Sequence, residues 1–244
     1  MRLEHTADII DFDPFETRTE ADATHELGAA VRLADMRVFR HGVAGAAALG
    51  RGKLSQAAAP IGDHANMTLA AAALGATAVT ATPAGTAGAA NLYSEGYFGI
   101  NDVTGEGATY KVKDHLAITA STAFVVNLFD PIRLALTSSS QATLVHNGYK
   151  NVIEVATSLH RPAGVPLINI AIGDYGWEQT KGVASVLCGT TRTLGALQIS
   201  SGATAGAVVD LTDVLGASSE RIVGYADILA GVDTEYNPMT LTID

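Results

Sequence analysis

Hydrophobic and polar residues alternate along short stretches of the chain, most clearly from residue 75 onward. The stretch "GATAVTAT" (residues 75–82) alternates Thr with small apolar residues. In "ATYKVKDH" (residues 108–115), the apolar Tyr110 and Val112 alternate with lysines. A period of two is typical of half-exposed β-strands, because successive side chains of a strand point to opposite faces.

Further stretches share this strand character, and clusters of Gly, Asn, Pro and Ser separate them. They are residues 123–129, 132–137, 143–146, 152–157, 165–172, 183–188, 197–200 and 222–229. Many short strands with turns between them predict an all-β fold instead of a βαβ series. We therefore expect a mainly β protein with a few short helices and an N-terminal extended arm. Both a sandwich and a barrel of antiparallel strands fit the pattern.

Three local signals refine this prediction. The stretch "VRLADMRVFRH" (residues 31–41) alternates on either side of a break at Ala34 and Asp35, which predicts a short hairpin. Residues 44–59 have high helix propensity but contain two glycines, so they predict at best a short helix. Asn147 followed by Gly148 is a type I′ hairpin signal.

Residues 1–26 are acidic and show no sustained helical or strand period. They predict an arm, with Phe12 and Phe15 around Pro14 as its candidate anchors. The sequence leaves three alternatives open for this arm: a disordered tail, a segment packed along its own subunit, or a clasp that reaches a neighbouring subunit. The rest of the chain, residues 27–244, is predicted as a β-rich body, within which residues 27–68 are a candidate hairpin-and-helix subregion.

Composition indicates self-association. Only 16% of the 244 residues are charged and 48% are hydrophobic, with a mean hydropathy of +0.22. We expect copies of the chain or a partner to cover part of the apolar surface, which predicts a homo-oligomer. The net charge of −10 repels phosphate backbones, which argues against nucleic acid as a partner.

The N-terminus carries charges and has no apolar segment of the kind found in signal peptides. The apolar runs of the chain are too short to span a bilayer. We therefore expect synthesis in the cytoplasm and no membrane partner.

No known catalytic or metal-binding spacing occurs in the sequence. The seven histidines are scattered, with no two within five residues of each other, so no local metal pair exists. The run "TSSS" (residues 137–140) lacks an adjacent base and predicts a turn. Asp210 and Asp213 resemble a turn or helix cap, and Cys188 lies in an apolar run that predicts burial. We expect no enzyme activity, no cofactor and no metal.

The stretch "GDYGWEQTKG" (residues 173–182) contains the only Trp of the chain, Trp177. Glu178 or Lys181 would need a cleft and partners to act as catalytic groups, and none is identifiable from the sequence. A structural role is favoured instead. Trp177 is a large apolar anchor, and Gln179 is suited to satisfy backbone groups where two strands diverge.

This stretch resembles the Y-x-W-x-Q-T-x-G signature of a group of tailed-phage virion proteins described as structural, decoration or cement proteins. The matching positions are Tyr175, Trp177, Gln179, Thr180 and Gly182. The stretches "FDPFETRTE", "NLYSEGYFGIND" and "GYKNVIEV" also follow in the order expected for such a protein, and the similarity thins after about residue 200. Two positions depart from the pattern. Glu178 stands where an apolar residue is expected, and Met36 stands where Gly is expected after Asp35.

The resemblance implies a decoration protein on the outside of a phage head, commonly a trimer, which clamps neighbouring subunits of the major capsid protein. Its partners are then the major capsid protein and itself, and its location is the capsid exterior of the virion after synthesis in the bacterial host. No catalytic residues of such a family exist to be carried over. The main alternative is a tail, fibre or host-adhesion component, and a hydrolase on a β scaffold is the least favoured.

Overall fold

The computed structural model describes residues 12–19, 25–156, 160–214 and 221–244. Short strands connected by turns dominate these residues, so the prediction of a mainly β fold is confirmed. The strands are β1 (Ala30–Arg32), β2 (Val38–Val43), β3 (Ser55–Gln56), β4 (Met67–Leu69), β5 (Ala78–Thr82), β6 (Tyr97–Asp102), β7 (Thr109–His115), β8 (Phe124–Leu128), β9 (Gln141–Val145), β10 (Ile153–Glu154), β11 (Pro162–Pro166), β12 (Tyr175–Leu187), β13 (Leu197–Ser200), β14 (Val208–Asp210), β15 (Gly224–Tyr225) and β16 (Tyr236–Thr242). Among the described residues, 3-10 turns occur at Gly62–His64 and Leu211–Val214.

The chain forms two compact units, and the second is inserted into the first. Unit 1 combines Met1–Ala57 with Tyr149–Asp244, and unit 2 is Ala58–Gly148. The boundary predicted between residues 26 and 27 stays a prediction.

Unit 2 is a closed antiparallel barrel with the strand order β4-β5-β8-β7-β6-β9. The barrel closes because β4 pairs with both β5 and β9. The alternation seen in the sequence sets its inside and outside: Tyr110 and Val112 of β7 are buried, whereas Lys111 and Lys113 are not. The barrel is therefore filled by apolar side chains, among them Val79, Phe98, Val112, Val126 and Leu144.

Unit 1 is built on a curled sheet with the order β10-β3-β11-β12-β16-β15-β13-β14. The hairpin of β1 and β2 joins this sheet through β12, which confirms the hairpin predicted for residues 31–41. Its main core consists of fully buried apolar residues contributed by strands distant in sequence, among them Leu54, Val165, Val186, Met239 and Leu241.

Strand β12 is the longest strand of the described chain and contacts three others. Its first half pairs with β2, from Tyr175 with Val43 onward. Its second half pairs with β16, up to Leu187 with Tyr236. The two partners meet at Lys181, and β11 pairs at Glu178 and Gln179.

Three local predictions were wrong. Residues 44–59 form no helix, because their backbone groups bond to distant segments: Leu49 N–H donates to Ile170 and Leu54 N–H donates to Gly206. Asn147 and Gly148 do not connect a hairpin, since β9 and β10 on either side of them pair with other strands. Residues 132–137 form only an isolated bridge at Leu136.

The departure at Met36 has a structural counterpart in the turn between β1 and β2. Met36 has a φ of 73°, in the left-handed region that favours glycine, and its side chain is exposed. A non-glycine residue in this region costs about 1–2 kcal/mol. The turn therefore keeps the backbone geometry of a glycine while carrying a methionine.

We expect Met36→Gly to stabilise unit 1 by about 0.5–1 kcal/mol, because relief of the left-handed strain outweighs the greater freedom of glycine in the unfolded chain. Denaturant unfolding followed by Trp177 fluorescence measures this change. Ala34→Gly is the matched control in the same turn, at a position outside the left-handed region, and should give no gain. Equal effects of the two substitutions would contradict the assignment of strain to Met36.

Candidate functional site

All five signature positions lie on β12. Trp177 is 5% exposed, and Gln179 and Thr180 are completely buried, while Tyr175 is half-buried. Gly182 has a φ of 83°, and an added Cβ would lie 3.0 Å from the Arg37 side chain. The signature therefore describes packing and backbone geometry at the centre of the sheet of unit 1.

Aromatic rings surround Trp177. The rings of Phe12 and His41 lie 5.0 Å and 5.1 Å from it, and that of His25 lies at 5.4 Å. Phe12 also contacts Phe39 at 5.1 Å. Phe12 thus occupies the anchor position that the sequence suggested, and it does so on the body of its own chain.

The described part of the arm is also tied to β12 through its backbone. Arg18 N–H donates to Tyr175 O at 2.9 Å, and Tyr175 N–H donates to Arg18 O at 2.7 Å. Phe15, the second candidate anchor, is 65% exposed and lies at the rim of a cavity. Residues 12–19 therefore pack along their own subunit, whereas residues 1–11 and 20–24 lie outside the described residues.

Gln179 satisfies backbone groups where strand pairing changes, as the sequence suggested. Its side-chain Nε2 donates to Lys181 O at 3.0 Å and to Val183 O at 2.8 Å. These carbonyls follow the last β12 residue that pairs with β11. The amide of Gln179 thus takes the place of N–H groups that a neighbouring strand would supply.

Thr180 closes the junction of β2 and β16. Its hydroxyl donates to the carboxylate of Asp244 at 2.8 Å, and Arg40 of β2 donates to the same carboxylate at 2.8 Å. Burial acts to raise the pKa of the Asp244 carboxyl, but the hydrogen bonds from Arg40 and Thr180 outweigh it and lower the pKa. An ionised carboxylate therefore holds the ends of two strands together.

Glu178, the residue that departs from the signature, is completely buried. Burial raises the pKa of its carboxyl to about 7, although a hydrogen bond with Ser55 acts to lower it. The hydroxyl of Ser55 also donates to Gly164 O at 2.8 Å. The same hydroxyl donates to Glu178 Oε2, whereas Glu178 Oε1 has no hydrogen-bond partner among the described residues. Burial therefore favours the uncharged form of this carboxyl, which suits a position where an apolar residue is expected.

Three histidines that are scattered in sequence gather around Tyr93 inside unit 2. The Tyr93 hydroxyl lies 2.6 Å from His64 Nδ1, and Tyr93 N–H donates to His115 Nε2 at 3.0 Å. The ring of His146 stacks on Tyr93 at 4.4 Å. The remaining ring nitrogens of His64 and His115 bond to the carbonyls of Thr86 and Leu116. The cluster is a hydrogen-bonded core, which the sequence did not reveal because its members lie on different elements.

The other residues considered for chemistry also have structural partners. Ser140 donates to Thr104 O at 2.8 Å within a turn, and Cys188 is fully buried. Asp210 accepts hydrogen bonds from Thr193 N–H and from Gln198. Within the described residues, no group of three or more His, Cys, Asp or Glu side chains is placed to hold a metal ion.

A cavity of about 510 Å³ opens on unit 1 beside the second half of β12. Val183, Ala184 and Ser185 of β12 line it together with Gln179, and Phe15, Tyr236, Arg37 and Arg51 are also among its lining residues. This cavity could not be predicted from the sequence, because its walls come from six separate segments.

Comparisons of this chain with family models, with curated proteins and with solved structures give no match. The resemblance of residues 175–182 to the phage signature therefore stays a prediction. Across the residues that the structure describes, no helix is long and apolar enough to cross a membrane.

Trp177→Ala should destabilise unit 1 by about 3–5 kcal/mol, the usual cost of truncating a buried aromatic side chain. Thermal or denaturant unfolding followed by far-ultraviolet circular dichroism measures this loss. A loss below about 1 kcal/mol would contradict the role of Trp177 as a core anchor.

Phe12→Ala should move the emission of Trp177 to longer wavelength, because the Phe12 ring covers the indole. Phe15→Ala is the matched control, since Phe15 belongs to the same arm and is exposed. Trp177 is the only tryptophan, so steady-state fluorescence reports this contact directly. Equal spectra for the two variants would show that Phe12 does not cover Trp177 in solution.

Glu178→Gln should remove a pH dependence of stability. The folded-state pKa of Glu178 is raised from 4.5 to about 7, so the folded chain binds more protons than the unfolded chain between these values. The stabilisation that results from this shift in pKa is fully present below pH 4.5 and is lost as the pH rises through 7. It amounts to about 3 kcal/mol of unfolding free energy at most.

The wild type should therefore lose stability relative to Glu178→Gln between pH 4.5 and pH 7.5 in denaturant unfolding. Glu106→Gln, which removes an exposed carboxyl of unit 2, should follow the wild type. Parallel pH profiles of the wild type and Glu178→Gln would rule out a raised pKa at Glu178.

Proposed function

We propose that this protein is a bacteriophage head decoration protein, which binds the outer capsid surface and stabilises contacts between subunits of the major capsid protein. The proposal rests on the resemblance of the signature at residues 175–182 and of the other matching stretches. It requires neither cofactor nor enzyme activity.

The observation that carries the proposal is the position of the signature in the fold. Trp177, Gln179 and Thr180 are buried in the strand on which unit 1 is assembled. Residues of this kind determine a fold, so a shared signature implies a shared scaffold and not a shared reaction. This supports a structural role like that of the proteins it resembles.

The surface is consistent with a protein that works by broad contacts. Apolar side chains such as Leu116, Leu74 and Leu194 are more than half exposed. Many modest contacts, repeated by several copies, give tight overall attachment. The proposed active form is a homotrimer, and its charge, several times the −10 of one chain, keeps it soluble and away from packaged DNA.

Residues 12–19 of the arm contribute mainly to their own subunit, through Phe12 and the Arg18 bridge. A clasp that reaches a neighbouring subunit would therefore have to come from the preceding residues 1–11. The proposed attachment to the capsid does not depend on that clasp.

Quantitative mass spectrometry of purified virions tests the function. A decoration protein should be present in hundreds of copies per particle, and purified chain should rebind capsids that lack it and raise their melting temperature. A dozen copies or fewer would identify a tail component instead, and absence from virions would rule out both.

Light scattering of the purified chain at micromolar concentration should report a mass near three times 25.1 kDa. A monomer across the whole concentration range would contradict the trimer. The capsid-binding measurement would then show whether single chains decorate the capsid.

A further inference from the structure

Part of one edge of β12, beside the cavity of unit 1, has no strand partner among the described residues. On the β16 side, Ile243 N–H donates to Thr180 O and Cys188 N–H donates to Glu235 O. Hydrogen-bonded pairs alternate along an antiparallel ladder. The even-numbered residues from 180 to 188 therefore direct their backbone groups to β16, and the odd-numbered residues 181, 183 and 185 direct theirs to the opposite edge.

Within the part of the chain that the structure describes, this opposite edge has backbone partners at its two ends. Gln179 pairs with Val165 of β11, and Leu187 N–H donates to Gly52 O at 2.9 Å. Between these points the register leaves the N–H groups of Val183 and Ser185 without a backbone partner among the described residues. Both residues are exposed and line the cavity.

Gln179 covers part of this edge. Its Nε2 occupies the carbonyls of Lys181 and Val183, as an adjoining strand would do. Its Oε1 is buried and has no hydrogen-bond partner in the described part of the chain. The edge therefore offers two backbone donors in a row, the N–H groups of Val183 and Ser185.

Basic and apolar side chains border this row. Arg37 contacts Gly182 near its start, and Arg51 precedes Gly52 at its end. The cavity lining contains no carboxylate, although Asp35 outside it pairs with Arg37 at 2.7 Å. Two arginines in a wall without acids, on a chain of net charge −10, favour an acidic occupant.

Apolar contacts are available between the two arginines. Phe15 and Tyr236 are 65% and 50% exposed, and Pro166 and Leu167 also line the cavity. The open edge from Lys181 to Ser185 spans about 13 Å, the length of a strand of about five residues. These dimensions suit an extended peptide with an apolar side chain near its centre.

The geometry points to β-strand addition: an extended, acidic segment of the partner protein pairs with the free edge of β12 at residues 181–185. Backbone groups of the segment bind the N–H groups of Val183 and Ser185, and its carboxylates bind Arg37 and Arg51. Main-chain hydrogen bonds give affinity in this mode, and the bordering side chains give specificity. The inference rests on the proposed function in one respect, since it takes the capsid subunit as the partner.

The test uses the full chain and capsids that lack it. Hydrogen–deuterium exchange measured by mass spectrometry should show slower exchange in a peptide covering residues 181–187 when the chain is bound to capsids. The double variant Arg37→Glu and Arg51→Glu should bind at least tenfold more weakly. The control is the double variant Arg133→Glu and Arg161→Glu, which changes the charge by the same amount at two exposed positions that do not line the cavity. It should bind capsids as the wild type does.

Each other outcome overturns the inference. If the chain binds capsids without slower exchange at residues 181–187, the edge of β12 is not the binding site. Equal affinity of the two double variants for capsids leads to the same conclusion. Both results leave the proposed decoration function intact. Slower exchange that grows with concentration of the chain alone identifies a second copy as the occupant instead of the capsid. Failure of the wild type to bind capsids rejects the proposed function itself.

Discussion

Every residue of a strand except proline carries a backbone donor and a backbone acceptor, and those that are buried must find partners. Strand β12, with 13 residues, is where this requirement is hardest to meet, because no single neighbour is as long. In unit 1, several short segments pair with β12 in turn. They are the arm at Tyr175, β11 at Gln179, β2 and β16 at Lys181, and Gly52 at Leu187.

The polar residues of the signature follow from this succession. Where one partner ends before the next begins, a side chain has to supply the missing hydrogen bonds. Gln179 does so with an amide and Thr180 with a hydroxyl that binds Asp244. Glu178, between them and the arm, is completely buried, and burial raises the pKa of its carboxyl to about 7. Polar side chains at these positions therefore belong to the framework of the sheet.

Local patterns predicted the class of fold because alternation is a direct consequence of strand geometry, as β7 and the hairpin of β1 and β2 show. They failed where contacts between residues distant in sequence determine the local structure. The helix propensity of residues 44–59 is overridden by bonds to remote segments. Phe12 and Phe15 look equivalent in the sequence, yet only Phe12 reaches Trp177. The cavity and its free edge depend on the register of β12, which no local pattern contains.

The insertion of unit 2 has a consequence for the order of folding. Unit 1 needs β2 to find β12 across the whole intervening chain, and closing so long a loop carries an entropic cost. In the barrel, Met67 pairs with Ala142, so that its two ends lie side by side. Once the barrel has formed, the loop between β2 and β12 is effectively shortened by nearly the whole insert. The barrel is one continuous segment and leaves the ribosome before residues 149–244 of unit 1. Its early formation thus lowers the barrier for the sheet that surrounds it in sequence.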